Sequence, residues 1–138
     1  MTLTDTGPLV GMLDRRDGSH RKCVEVVGEV RLPMLTTLPV LTEVLYILQN
    51  RAGWKTQSVV FKLIHDGRLV ITDMTSDTLY RAEELMAKYA DLPMDFADAS
   101  LVAVAEARNM DRVFTLDEHF RIYRLRGREP FDIIPRQE

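Results

Sequence analysis

The sequence predicts an α/β domain built on a mainly parallel sheet. Two observations predict it. Short apolar runs such as "LPMLTT", "RLVIT" and "RVFTL" suit strands, and the segments that separate them carry helical patterning. That shape carries a rule: in open α/β sheets ligands sit beyond the carboxyl ends of the strands, which directs attention to the aspartates that directly follow strand-like runs.

The elements follow in order. "LTLT" is short and extended. "GPLVGMLD" starts a helix, with Pro8 suited to a first turn. "SHRKCVEVVGEV" reads as a helix with Ser19 as its cap, and "LPMLTT" as a strand. In "PVLTEVLYILQNRAG" the residues Val40, Leu41, Val44, Leu45, Ile47 and Leu48 form one helical stripe, and Gly53 suits its end. "KTQSVVFKLIHDG" is a further helix closed by a glycine. "RLVIT" is a strand, and "SDTLYRAEELMAKYAD" is an amphipathic helix. "DFADASLVAVAEARNM" is apolar almost all round and is expected to be buried. "RVFTL" is a strand and "FDIIP" a weaker one.

The chain of 138 residues amounts to one domain, residues 1–138, long enough to bury a core. Apolar residues make up 46% and charged residues 28%, which fits a soluble globular chain. No apolar stretch approaches a membrane span and no secretory pattern opens the chain, so no membrane partner is expected. Cys23 is the lone cysteine, which points to a reducing cytoplasm. The formal net charge of −3 argues against coating nucleic acid by bulk charge. It does not exclude a nuclease, whose carboxylates would hold metal ions.

Asp5, Asp73 and Asp117 each follow a strand. Asp5 and Asp117 are candidates to lie side by side at one sheet edge. Asp73 is expected to cap or turn toward "TSDT". Glu43 falls at the margin of its helix's apolar stripe, beside Val40 and Ile47, and is expected to be partly exposed. Asp98 has Leu101 and Val102 one turn on. A carboxylate on an apolar helix must find a partner, lose its charge or bind a cation. Plain structural roles exist too: Asp5, Asp95 and Asp117 each precede a segment they are able to cap.

The set carries more than its members. Converging carboxylates raise one another's pKa, and no Arg or Lys is next to Asp5 or Asp98 in sequence. A hard divalent cation relieves such a cluster. There is no cysteine pair, and His20, His65 and His119 show no zinc spacing. Asp5-Thr6-Gly7 is also an aspartic-protease signature, but those proteins are all-β and this chain carries long helical patterns.

Taken in order, "TDTGPLVGMLDRRD", "LTEVLYIL" and "DFADASLVAVAEARNMDRVFTLDEHF" resemble the PIN domain, specifically the VapC-like ribonuclease toxins of prokaryotic toxin–antitoxin pairs. The resemblance covers nearly the whole chain and implies a three-layer α/β/α sandwich with a parallel sheet. It maps the acidic site onto Asp5, Glu43, Asp98 and Asp117. Thr6 and Thr115 match polar positions that orient ligands, and Asp95 is an additional acid one turn before Asp98. Asp73 matches no site position.

The activity implied is Mg²⁺- or Mn²⁺-dependent hydrolysis of RNA, leaving a 5′-phosphate and a 3′-hydroxyl. Asp5, Asp98 and Asp117 are the expected metal ligands. Glu43 is a further ligand or a holder of the attacking water. The resemblance also implies a homodimer and a cognate antitoxin lying over the helices near the site, with Trp54 as a contact. Two basic segments are candidates to meet RNA: Arg15, Arg16, Arg21 and Lys22 in one, and Arg121, Arg124, Arg126 and Arg128 in the other, with Tyr123 available for stacking. The rival reading is a non-catalytic RNA- or protein-binding module with the same fold. A receiver-like phosphoacceptor would need a lysine after a late strand, and "VFTLD" is followed by Glu118 and His119.

Overall fold

The computed structural model describes residues 1–137, so only Glu138 of the expected span lies outside it. Five strands, Thr2–Thr4 (β1), Met34–Thr37 (β2), Leu69–Thr72 (β3), Arg112–Phe114 (β4) and Asp132–Ile134 (β5), form one sheet in the order β3-β2-β1-β4-β5. Every neighbouring pair is parallel. The helices are Thr6–Leu13 (α1), His20–Val26 (α2), Leu38–Arg51 (α3), Trp54–His65 (α4), Ser76–Lys88 (α5) and Phe96–Ala107 (α6). The chain adds β2 and β3 outward from β1, then returns to place β4 on the other side of β1. Right-handed crossovers therefore send the helices before and after that return to opposite faces, which makes the α/β/α sandwich.

A sheet covered on both faces needs apolar or self-satisfied strands. β1 and β2 are buried at every position. Their threonines stay inside by bonding the backbone: Thr36 Oγ1 donates to Thr4 O at 2.8 Å. The apolar helix α6 is buried from Ala97 through Ala105 and packs on α5 and β2. Thr37 Oγ1 and Ser100 Oγ lie 2.6 Å apart, which pins the start of α3 to α6.

Close approach elsewhere depends on a missing side chain. A Cβ at Gly11 would fall 2.8 Å from Cys23 Sγ, so α1 and α2 meet as they do because position 11 is glycine. Cys23 is fully buried and serves as packing. α3 stops at Gly53, whose φ of +78° suits glycine and whose N–H donates to Leu48 O.

Two local expectations fail. Ser19 makes no capping hydrogen bond with its side chain; its own N–H donates to Asp17 Oδ1, because an aspartate two residues earlier closes the turn first. Thr75, not Asp73, caps α5 and accepts from the Thr78 N–H. Asp73 stands two residues too early to reach that amide. β5, read as the weaker strand, pairs with β4 along its whole length. Among the described residues no helix is long and apolar enough to cross a membrane.

Candidate functional site

Strand addition reverses at the β1/β4 boundary, and a reversal of this kind opens a crevice at the carboxyl ends of the two strands. Asp5 directly follows β1, and its N–H donates to Phe114 O at 2.9 Å, which holds it beside β4. Asp117 follows β4 by three residues. Asp98 enters from the first turn of α6. One carboxylate oxygen of each of Asp5, Asp98 and Asp117 lies within 4.8 Å of the other two. Asp5 and Asp98 are buried and Asp117 is half-buried.

Hydrogen bonds fix each acid. Asp5 Oδ1 accepts from the Thr6 N–H and Oδ2 from the Thr115 hydroxyl, both at 2.8 Å. The same Thr115 oxygen accepts from the Asp117 N–H at 3.0 Å, so one threonine sets two acids. Asp117 Oδ1 accepts from the His119 N–H, capping a short 3-10 turn over Glu118–Arg121. Asp98 Oδ2 accepts from the Tyr123 hydroxyl at 3.2 Å. Asp95 caps α6 and accepts from the Asp98 N–H at 2.8 Å. The capping roles and the convergence thus coexist in the same residues.

Burial and mutual repulsion disfavour the charged forms of these acids. Burial pushes Asp5 up to about 6, against its hydrogen bonds from Thr115 and Thr6, with Asp117 and Glu43 adding to the rise. Burial, then the charges of Asp5, Asp95 and Asp117, carries Asp98 to about 8. Among the described residues no lysine or arginine pairs with any of the three acids; His119 Nδ1 stands 3.6 Å from Asp117 Oδ1. Among the described residues the buried Thr6 hydroxyl has no hydrogen-bond partner.

Glu43 is half-buried on α3 and lies outside the set of oxygens within 4.8 Å. Burial and the neighbouring Asp95 raise its pKa. The Thr6 side chain tempers that rise, although its geometry falls short of a hydrogen bond. Glu43 therefore borders the cluster, because its position is set by a helix whose apolar stripe faces the core.

The family model of the PIN domain matches residues 2–125. This chain belongs to the PIN domain family. Among solved structures, VapC20 of Mycobacterium tuberculosis, described as a Sarcin-Ricin loop cleaving toxin, aligns with a TM-score of 0.78 at 17% identity, covering 85% of this chain and 90% of that one. A toxin–antitoxin complex from Klebsiella pneumoniae aligns at 0.66 and 16% identity, over 85% and 87% of the two chains. VapBC2 from Rickettsia felis, bound to a DNA fragment from their promoter, aligns at 0.65 and 17%, over 96% and 97%. At these identities the likeness is one of fold. No curated protein matches the sequence significantly.

One expectation about this PIN domain changes. Tyr123 is fully buried, packed edge-on against Tyr89 and Phe120 at 5.0 and 5.1 Å, so it is not free to stack on RNA. It is instead a donor to Asp98, a role its basic sequence neighbourhood concealed. Several arginines of the basic segments stay exposed while making surface contacts. Arg16 is held by Asp14 and the Arg51 carbonyl, Arg21 by Glu25, Arg121 by Glu118, Arg124 by two carbonyls and Arg126 by Glu106 O and Asn109. Arg15, Lys22 and Arg128 make no ion pair or side-chain hydrogen bond among the described residues. Asp73 follows the edge strand β3, apart from the site.

Proposed function

We propose that this PIN domain is a metal-dependent endoribonuclease, the toxin of a toxin–antitoxin pair. One observation carries the reading: three carboxylates from separate elements converge at the switch point of the sheet, and among the described residues no lysine or arginine neutralises them. The donor set fits a hard divalent cation, Mg²⁺ or Mn²⁺. Its atoms are oxygens, two of its acids are buried, and the unpartnered Thr6 hydroxyl adds a buried oxygen beside Asp5. Asp5, Asp98 and Asp117 would hold the ion, with Glu43 at the rim. When bound, the cation neutralises these acids, lowers the pKa of a water and stabilises charge on the phosphodiester oxygens.

The chain's own residues prepare the site. Thr115 holds Asp5 Oδ2 and the Asp117 amide together, so the two acids keep their spacing before substrate arrives. Tyr123 engages Asp98 Oδ2 and leaves Oδ1 free. The cap at Asp117 uses Oδ1 and leaves Oδ2 free. Glu43, at the rim of the cluster, would ligate the ion or orient the attacking water. That water adds to phosphorus in line, and the bond to the 3′ oxygen breaks, leaving a 5′-phosphate and a 3′-hydroxyl.

Neighbours described as toxin–antitoxin complexes support an antitoxin partner. The exposed Trp54 on α4, tilted against Phe61 at 6.1 Å, offers apolar surface for that partner or for a second copy in a homodimer. The test is a pool of structured RNAs incubated with purified protein in Mg²⁺, in Mn²⁺ and in chelator, beside Asp5→Asn and Asp98→Asn. Metal-dependent cutting lost in both variants is expected. Tight metal-independent binding without products would favour a non-catalytic module instead.

A further inference from the structure

The Tyr123 hydroxyl sits at the far end of a long side chain, so it stays on Asp98 only if the ring and main chain behind it are held. The Tyr123 N–H donates to His119 O at 3.1 Å. The next amide, Arg124 N–H, has no backbone acceptor among the described residues. It donates instead to the Tyr89 hydroxyl at 3.2 Å. The Tyr89 ring is also one of the two aromatic walls around Tyr123.

Tyr89 reaches the other side of Asp98 as well. It directly follows α5, and its carbonyl accepts from the Leu92 and Met94 N–H groups at 3.1 and 3.2 Å. Met94 precedes Asp95, the cap that takes the Asp98 N–H. The bonds close a circuit: Asp98 to Tyr123, Arg124 to Tyr89, Tyr89 to Met94, and Asp95 back to Asp98. A phenylalanine at position 89 would supply the same ring and carbonyl, so the circuit depends there on the hydroxyl. Resting on the nuclease reading, we propose that Tyr89 is a positioning residue of the metal site, acting through Tyr123 to fix which oxygen of Asp98 faces the cation. Losing a partner that orients a metal ligand costs about 10- to 100-fold in metal affinity or activity. Tyr89 acts one bond further out, so a loss of about 2- to 10-fold is expected, as for one hydrogen bond.

The experiment titrates Mn²⁺ into metal-free protein without RNA and reads Kd by calorimetry. The proteins are wild type, Tyr89→Phe, Tyr123→Phe, the double variant and Asp98→Asn, each melted in chelator. Tyr80→Phe, on the exposed face of α5, is the control. Tyr89→Phe is expected to weaken Mn²⁺ binding about 2- to 10-fold and Tyr123→Phe about tenfold. The double variant should bind no more weakly than Tyr123→Phe, because both changes break one circuit. Tyr80→Phe should match wild type. In a cleavage assay at saturating Mn²⁺, Tyr89→Phe should lower kcat and leave the KM for RNA in place. An unchanged Kd in Tyr89→Phe, or losses that multiply in the double variant, would overturn the inference. Where Tyr89→Phe melts lower, the double variant decides between positioning and a purely structural role. Wild type that cuts RNA while its Mn²⁺ affinity ignores Tyr89 removes the inference and keeps the nuclease. Wild type that binds Mn²⁺ with this dependence and cuts nothing does the reverse, and wild type that binds no Mn²⁺ removes both.

Discussion

Asp14 and Asp98 are buried alike, at 5% and 7% exposed, but their surroundings are opposite. Asp14 Oδ1 accepts from the Arg16 N–H, and the guanidinium groups of Arg16 and Arg51 stand 3.7 and 4.0 Å from its two oxygens. Arg51 also pairs with Asp17 at 2.7 Å. Between α5 and α6, Glu106 receives Arg81 at 3.0 Å. The chain thus supplies arginine where an acid serves the fold. At Asp5, Asp98 and Asp117 it supplies hydroxyls, amides and more acid. Burial does not separate the two regions, since both have it; the absence of an arginine or lysine partner among the described residues sets the proposed site apart.

The sharpest way to break this contrast is to exchange the acids for amides. Asp98→Asn is expected to lower RNA cleavage by at least about 100-fold, in line with the loss of a transition-state contact, while melting in chelator stays level or rises. A variant that keeps cutting would end the contrast. The next effect is in pH. The folded-state value of Asp5, about 6, lies above the ordinary 3.8, so the folded protein keeps that proton longer than the unfolded chain. Its stabilising contribution is full below pH 3.8 and is lost as pH rises through 6; for Asp98 the loss extends through about 8. The rise at Asp5 corresponds to about 3 kcal/mol. Metal-free protein should therefore melt lower at pH 9 than at pH 5, and saturating Mg²⁺ or Mn²⁺ should flatten the trend. Melting curves that rise with pH in chelator would contradict it.

Asp14→Asn probes the other region. Arg51 is half exposed, so the loss is screened, and about 2 kcal/mol of stability is expected to go with cleavage intact. Denaturant titration beside a cleavage assay checks both halves of that statement. Tyr123→Phe should have the smallest effect. It removes one hydroxyl from Asp98 and leaves the ring packing, for about 1 kcal/mol or up to tenfold in rate, together with a further rise in the pKa of Asp98. Cleavage rate against pH would move its acidic limb upward.

Much of the site was legible because its signals are local. Asp5 and Asp117 stand after strands, Asp95 stands before a helix, and Asp98 interrupts an apolar face, each readable within one turn of chain. Tyr123 was not legible. Arginines surround it in sequence, but its ring is carried inward by the 3-10 turn and enclosed by Tyr89 and Phe120. The same holds for Thr37 and Ser100, whose hydroxyls meet across 63 positions of chain. Nor did the sequence show which arginines touch carboxylates and carbonyls.

By itself the sequence determined the alternation of strands and helices, since periodicity and turn residues act over a few positions, and from that a parallel α/β sheet. Only the tertiary structure decided that β4 lies against β1. That adjacency brings Thr115 to Asp5 across 110 positions and makes separate acids one cluster. The reason is range: a local pattern states that a residue is buried, whereas its partner is chosen by how distant elements pack.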